Sequence, residues 1–182
     1  MPPYAYAVIL GGAGLWTIPF LITRFNFKAP QKVDRRARWG ILLEFAAFTL
    51  LWQGPFWERA PQPWQVAISA VFMVLANLLS WSATRALGKQ LRVDAAVGAD
   101  HELIRSGPYR IVRHPIYASM LCLLFGIGAI TVPLWLMMLA LVLFIIGTEI
   151  RVRVEDGLLA ARFGEDFQKY RETTPRYIPF VW

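Results

Sequence analysis

Apolar runs separated by clusters of charge set the plan of this chain. Tyr4 to Thr23 carries no charge over 20 residues, enough to cross a hydrocarbon core of about 30 Å as a helix. Trp39 to Trp57 is a second apolar stretch with tryptophans near both ends, as in an interfacial belt. Trp64 to Leu87 is a third. From Pro115 to Thr148 no residue is charged over 34 positions, too many for one span. Thr131-Val132-Pro133 is the natural break, so this run predicts a tight hairpin of two helices. The pattern therefore predicts an all-α, polytopic membrane bundle of about five spans, over 4–23, 39–57, 64–87, 115–130 and 132–150. The last helix runs past the membrane: Val132 to Phe163 would be about 48 Å long at 1.5 Å per residue. Gly164 is its expected stop. A short amphipathic helix from Glu165 to Arg171 and a proline-aromatic tail follow. We read 1–182 as a single membrane domain, with a C-terminal helical cap and a cofactor region made from 88–114 and 151–182.

Composition agrees with a bilayer setting. The chain is 57% hydrophobic and 17% charged, against about a quarter charged in soluble domains. The 20-residue run at the start has no basic residue before Arg24 and lacks the form of a secretory signal, so it reads as a retained span.

The charge of +7 points to lipid rather than nucleic acid because of where it lies. Residues 24–38, 85–113 and 151–176 hold six basic residues each, 18 of the 19 in the chain. These are alternate connections and the tail, which is the positive-inside pattern. It predicts an outer N-terminus, a cytoplasmic C-terminus and basic faces suited to anionic headgroups. Cys122 is the single cysteine, and His101 and His114 are the two histidines. No disulfide framework and no metal site are expected.

Polar residues inside the spans are few. Glu44 is an intramembrane carboxylate and so a functional candidate, or else a residue close enough to the interface to reach water or a basic neighbour. Asn77 and Ser80 suit interhelical hydrogen bonds. Gly126 and Gly128 suit close helix packing, since no strand precedes them to make a phosphate loop.

Chemistry concentrates in HELIRSGPYRIVRHPIY, residues 101–117. Gly107-Pro108 reads as a turn that would bring His101 and Tyr109 together. His114 precedes a proline and should sit at the cap of the fourth helix. It is a ligand contact at an anion-attracting helix start, or a plain cap with Tyr109 and Tyr117 as interfacial anchors. On the extended fifth helix, Arg151 and Glu155 are four apart and share a face. They form a solvated ion pair, or the other wall of a site over His114. Leu158, Leu159, Phe163 and Phe167 form an apolar face expected to pack on 88–113. The early part of that segment, LRVDAAV, alternates enough to suggest a short extended piece.

The 101–117 stretch, taken with Arg151, Glu155, Asp156, Leu158, Phe163, Gly164, Phe167 and Tyr170, resembles the isoprenylcysteine carboxyl methyltransferases, with membrane phospholipid methyltransferases as more distant kin. The resemblance covers about residues 85–182. It implies an S-adenosylmethionine-dependent membrane enzyme without a Rossmann domain. It implies that His101, Glu102, Leu103 and Ile104 line the cofactor, that Tyr109, His114, Pro115, Ile116 and Tyr117 add contacts, and that Glu155 holds its polar end. Arg151 would face the methyl acceptor as the catalytic residue. The acceptor is lipophilic or small, and a carboxylate fits the lack of an evident base. Two departures stand out: Glu155-Asp156-Gly157 replaces a run of glutamates, and Asp94 is the nearest match to an amide-bearing position. Two other readings remain at this point: an NADPH-dependent membrane reductase of the sterol-reductase type, and a non-enzymatic membrane scaffold.

Overall fold

The computed structural model describes residues 1–23, 32–55, 58–91, 96–97 and 102–179. His101 and Asp94 lie outside the described residues. Six α-helices dominate the described residues: α1 (Pro3–Ile22), α2 (Ala37–Leu50), α3 (Pro63–Leu87), α4 (Pro115–Thr131), α5 (Leu134–Phe163) and α6 (Glu165–Thr173). One small antiparallel pairing joins β1 (Lys32–Val33) to β2 (Ala96–Val97), with Lys32 opposite Val97. It links the two connections at one end of the bundle and bears out the extended piece at 96–97.

Prolines start several helices. Pro3, Pro63 and Pro115 each occupy a first helical position, where a missing N–H costs nothing and the fixed φ helps. At Pro63 the start is reinforced by a capping box between Gln62 and Gln65. Thr131 ends α4 and Pro133 caps α5, which is the predicted hairpin break. α5 then continues for 30 residues to Gly164. That glycine has a φ of +53°, so the chain turns there directly into α6.

The helix faces explain the membrane reading. Leu134 and Leu21 are 76% and 74% exposed, and Leu10, Leu78 and Val74 are exposed beside them. So large an apolar surface is unfavourable in water and favourable in lipid. α1, α3 (with the short turn that follows it) and α5 are long and apolar enough to cross a membrane, and α4 is a shorter apolar helix. α2 departs from the expected 39–57 span. Its helix ends at Leu50, so its 14 residues cover roughly 21 Å, and turns follow in place of further helix. Gly54-Pro55 follows, a pair that disfavours helix, and a Cβ on Gly54 would lie 2.1 Å from the Thr131 carbonyl oxygen, so the chain bends tightly under the α4–α5 turn.

Packing relies on small residues. α2 runs antiparallel to α5, and at Gly40 and Gly147 the backbones nearly touch: a Cβ on Gly40 would be 2.5 Å from the Gly147 carbonyl oxygen. Gly12 and Gly126 both abut Met73 of α3, and Gly128 abuts Met137. This is the close approach that small residues permit in lipid. Ser69 donates to the Gly126 carbonyl at 2.6 Å, and Asn77 donates to Gly12 at 3.1 Å. Ser80 differs from expectation, since it bonds Asn77 of its own helix. Phe144, Leu124, Leu51, Met73 and Ile127 fill the centre.

Candidate functional site

The site forms where the start of α4 meets the charged extension of α5. The chain enters through a short 3-10 turn at Gly107–Arg110. Gly107 has a φ of +59°, the left-handed region that favours glycine. This turn seats Tyr109, which is buried, against α6: Tyr170 donates its hydroxyl to the Tyr109 carbonyl at 2.6 Å. Burial pushes the Tyr170 phenol up to about 12, so it stays protonated and keeps donating.

His114 follows as the residue before Pro115, with a non-helical backbone (φ −127°, ψ 64°) at the cap of α4. Its backbone N–H donates to the Arg176 carbonyl at 2.8 Å, and that of Arg113 donates to Pro175 at 2.8 Å. The tail is therefore strapped across the start of α4. The Arg113 guanidinium completes the strap by donating to the carbonyls of Thr174 and Arg171. Arg176 and Tyr177 close it from the other side on Glu149 of α5, at 2.9 and 3.1 Å.

α5 supplies the opposite wall. Asp156 lies 2.9 Å from His114 Nε2 and 3.1 Å from the Arg113 guanidinium. Glu155 faces His114 Nδ1 at 3.4 Å and accepts a short hydrogen bond from the Tyr117 hydroxyl. Burial alone would lower the His114 pKa. The hydrogen bonds and charges of Asp156 and Glu155 outweigh it and raise the pKa to about 9. Arg151 sits one turn back on α5, with its guanidinium over the Tyr117 ring at 5.1 Å. It pairs with Glu44 of α2 at 2.8 Å, and Thr148 donates to the same carboxylate.

The structure thus brings together Tyr109, His114, Pro115, Tyr117, Arg151 and Glu155. Ile116 lies beside them, half-buried. Glu102 is exposed, and Leu103 and Ile104 are half-buried on the strand of chain leading into the turn. Three residues were not singled out as site members. Arg113 and Asp156 are both buried and bracket His114; Asp156 had counted only as a stand-in for a glutamate. Glu44 had two readings, and the structure selects the basic neighbour, Arg151. Its one sequence signal was being a carboxylate inside an apolar run. Leu158 packs on Ala37 of α2, and α5 also meets β2 of the 88–113 segment.

The donor set fits a cationic, polar-ended ligand. Glu155 keeps 26% of its side chain exposed while His114 keeps 6%, so Glu155 is the more accessible member of that pair. The buried aromatic rings of Tyr109 and Tyr117 beside it suit a partly apolar molecule.

Residues 64–166 match the phospholipid methyltransferase family, and the chain belongs to it. The match spans α3 to the start of α6 and so contains both walls. The chain is also similar to the cobalt-zinc-cadmium resistance protein CzcN of Cupriavidus metallidurans, 27% identical over 143 residues, covering 78% of this chain and 62% of that protein. It is similar to the nickel-cobalt-cadmium resistance protein NccN of Alcaligenes xylosoxydans xylosoxydans, 35% identical over 78 residues, covering 43% of this chain and 36% of that protein. The chain thus spans less than two thirds of the length of these curated relatives.

Proposed function

We propose that the protein is an S-adenosylmethionine-dependent membrane methyltransferase acting on a lipophilic or small acceptor, with the cofactor held between the start of α4 and the extension of α5. The observation that carries this reading is the Glu155 carboxylate, on a partly exposed side chain and fixed by Tyr117 and His114 within the family-matched segment. The relatives' names speak of metal resistance and say nothing of an acceptor. Family membership favours methyl transfer over the reductase and scaffold readings.

Bound there, S-adenosylmethionine would supply a methyl group already activated by its sulfonium. Glu155 would hold the cofactor's ammonium, with Tyr117 and Tyr109 against its apolar parts. The N-terminal end of α4 favours negative charge, which suits the cofactor's carboxylate. Arg151, whose guanidinium lies over the Tyr117 ring, would face the acceptor. Because transfer is an in-line displacement, the protein's share is alignment and exclusion of water. The proposed orientation keeps this face in the cytoplasm, among basic segments that meet anionic headgroups.

A carboxylate acceptor needs no general base. Arg151 would orient it, exchanging part of its contact with Glu44. The test is a transfer screen with labelled cofactor against lipid extracts, prenylcysteine analogues and small thiols. Label incorporated into a carboxylate-bearing lipid supports the reading. Incorporation into amines or thiols alone overturns the carboxylate assignment, and no incorporation from any source counts against the enzyme reading.

A further inference from the structure

His114 has a carboxylate at each ring nitrogen: Asp156 at 2.9 Å from Nε2 and Glu155 at 3.4 Å from Nδ1. A neutral imidazole has one N–H and one lone pair. It would therefore aim a lone pair at one of these carboxylates, inside a site where its own side chain is only 6% exposed. The doubly protonated ring satisfies both contacts. Charge balance agrees: Asp156 faces Arg113, and Glu155 faces the His114 ring, with Arg151 a further cation acting on it.

We propose that His114 is a fixed imidazolium cation that acts as a positioning residue, setting the Glu155 carboxylate for the cofactor's ammonium, with Asp156 and Arg113 holding the ring in place. This rests on the cofactor reading of Glu155. The ring is neither a base nor an acceptor contact. The charged and titratable groups around it are Glu155, Asp156 and Arg151 from α5, Arg113 and Tyr117 from its own stretch, and Arg176 from the tail. The Arg176 guanidinium is turned away to Glu149. Glu155 therefore has two anchors from α4's start, the Tyr117 hydroxyl and the His114 ring.

The chain has two histidines, so 15N-histidine NMR of the detergent-solubilised protein resolves them, with His101→Asn giving the assignment. The expected spectrum of the ligand-free wild type shows His114 as imidazolium at about pH 8, where an ordinary histidine is neutral. In Asp156→Asn the titration moves toward about 6.5. S-adenosylhomocysteine affinity in that variant then falls roughly tenfold between about pH 6 and about pH 8, while the wild type stays flat. A wild-type His114 that titrates near 6.5 overturns the proposal, and so does an affinity in Asp156→Asn that ignores pH. If Asp156→Asn fails to fold, the wild-type spectrum still decides. Absence of S-adenosylhomocysteine binding at every pH overturns the cofactor reading, and is told apart because the histidine spectrum needs no ligand.

Discussion

The Arg151 guanidinium of α5 meets the Glu44 carboxylate of α2 at 2.8 Å, with both side chains almost wholly out of solvent. The contact follows from the glycine crossing one turn away, where Gly40 and Gly147 let the two backbones approach. Removing one partner leaves a buried charge uncompensated, at about 3–5 kcal/mol. Glu44→Ala should therefore lower the thermal unfolding midpoint sharply in detergent, and Glu44→Gln less so. An unchanged midpoint in Glu44→Ala would show that the pair contributes little.

Arg151 itself is expected to act in turnover rather than in cofactor binding. Arg151→Lys keeps the charge opposite Glu44 but loses the planar group over Tyr117. We expect it to retain stabilisation by S-adenosylhomocysteine while methyl transfer falls by roughly tenfold or more. Parallel loss of cofactor binding would move Arg151 to the cofactor's side of the site.

The glycine crossing makes its own prediction. A side chain at Gly147 would meet the Gly40 carbonyl oxygen at 2.8 Å and the Glu44 backbone nitrogen at 3.1 Å. Both are backbone and cannot swing aside, so Gly147→Val should cost about 1–3 kcal/mol or more and weaken the Glu44–Arg151 pair with it. Gly157, where an added Cβ meets nothing within 4 Å, is the control: Gly157→Ala should be neutral or stabilising by up to about 1 kcal/mol.

Much of this fold was legible because lipid imposes long apolar runs. The four helices α1, α3, α4 and α5, their proline starts and the Gly164 stop all follow from local pattern. α2 is shorter than the 39–57 span because Gly54-Pro55 lies inside that stretch, and a proline and the residue before it both disfavour helix. The close approach of Gly54 to the Thr131 carbonyl adds a tertiary constraint that local reading does not show. The site was half legible. Arg151 and Glu155 share a face by spacing, and His114 caps by virtue of Pro115. Pairing of His114 with Asp156, of Arg113 with Asp156 and of Arg151 with Glu44 joins residues 42, 43 and 107 positions apart, and spacing on one helix says nothing about partners on another.

His114 also gives a pH dependence of stability. Its pKa in the folded protein is about 9, against about 6.5 unfolded. A raised pKa contributes stability in full below about 6.5, and that contribution is lost as pH rises through about 9. Wild-type unfolding midpoints should therefore fall between those values, and His114→Asn should flatten the slope across that window. A midpoint that rises with pH there would contradict the imidazolium.

The tail strap should open when its anchor is removed. Arg113 holds Thr174 and Arg171 through their carbonyls. Arg113→Ala is expected to expose the bonds after Arg171 and Arg176 to trypsin well before the rest of the cap is cut. Equal protection in the variant would show that the Glu149–Arg176 pair suffices by itself.

Thermal stabilisation of the purified protein by S-adenosylhomocysteine, measured beside NADPH for wild type and Glu155→Gln, tests the cofactor site most directly. The predicted result is a shift with S-adenosylhomocysteine in the wild type, loss of that shift in Glu155→Gln, and no response to NADPH. Stabilisation by NADPH alone, or a full S-adenosylhomocysteine shift in Glu155→Gln, would contradict it.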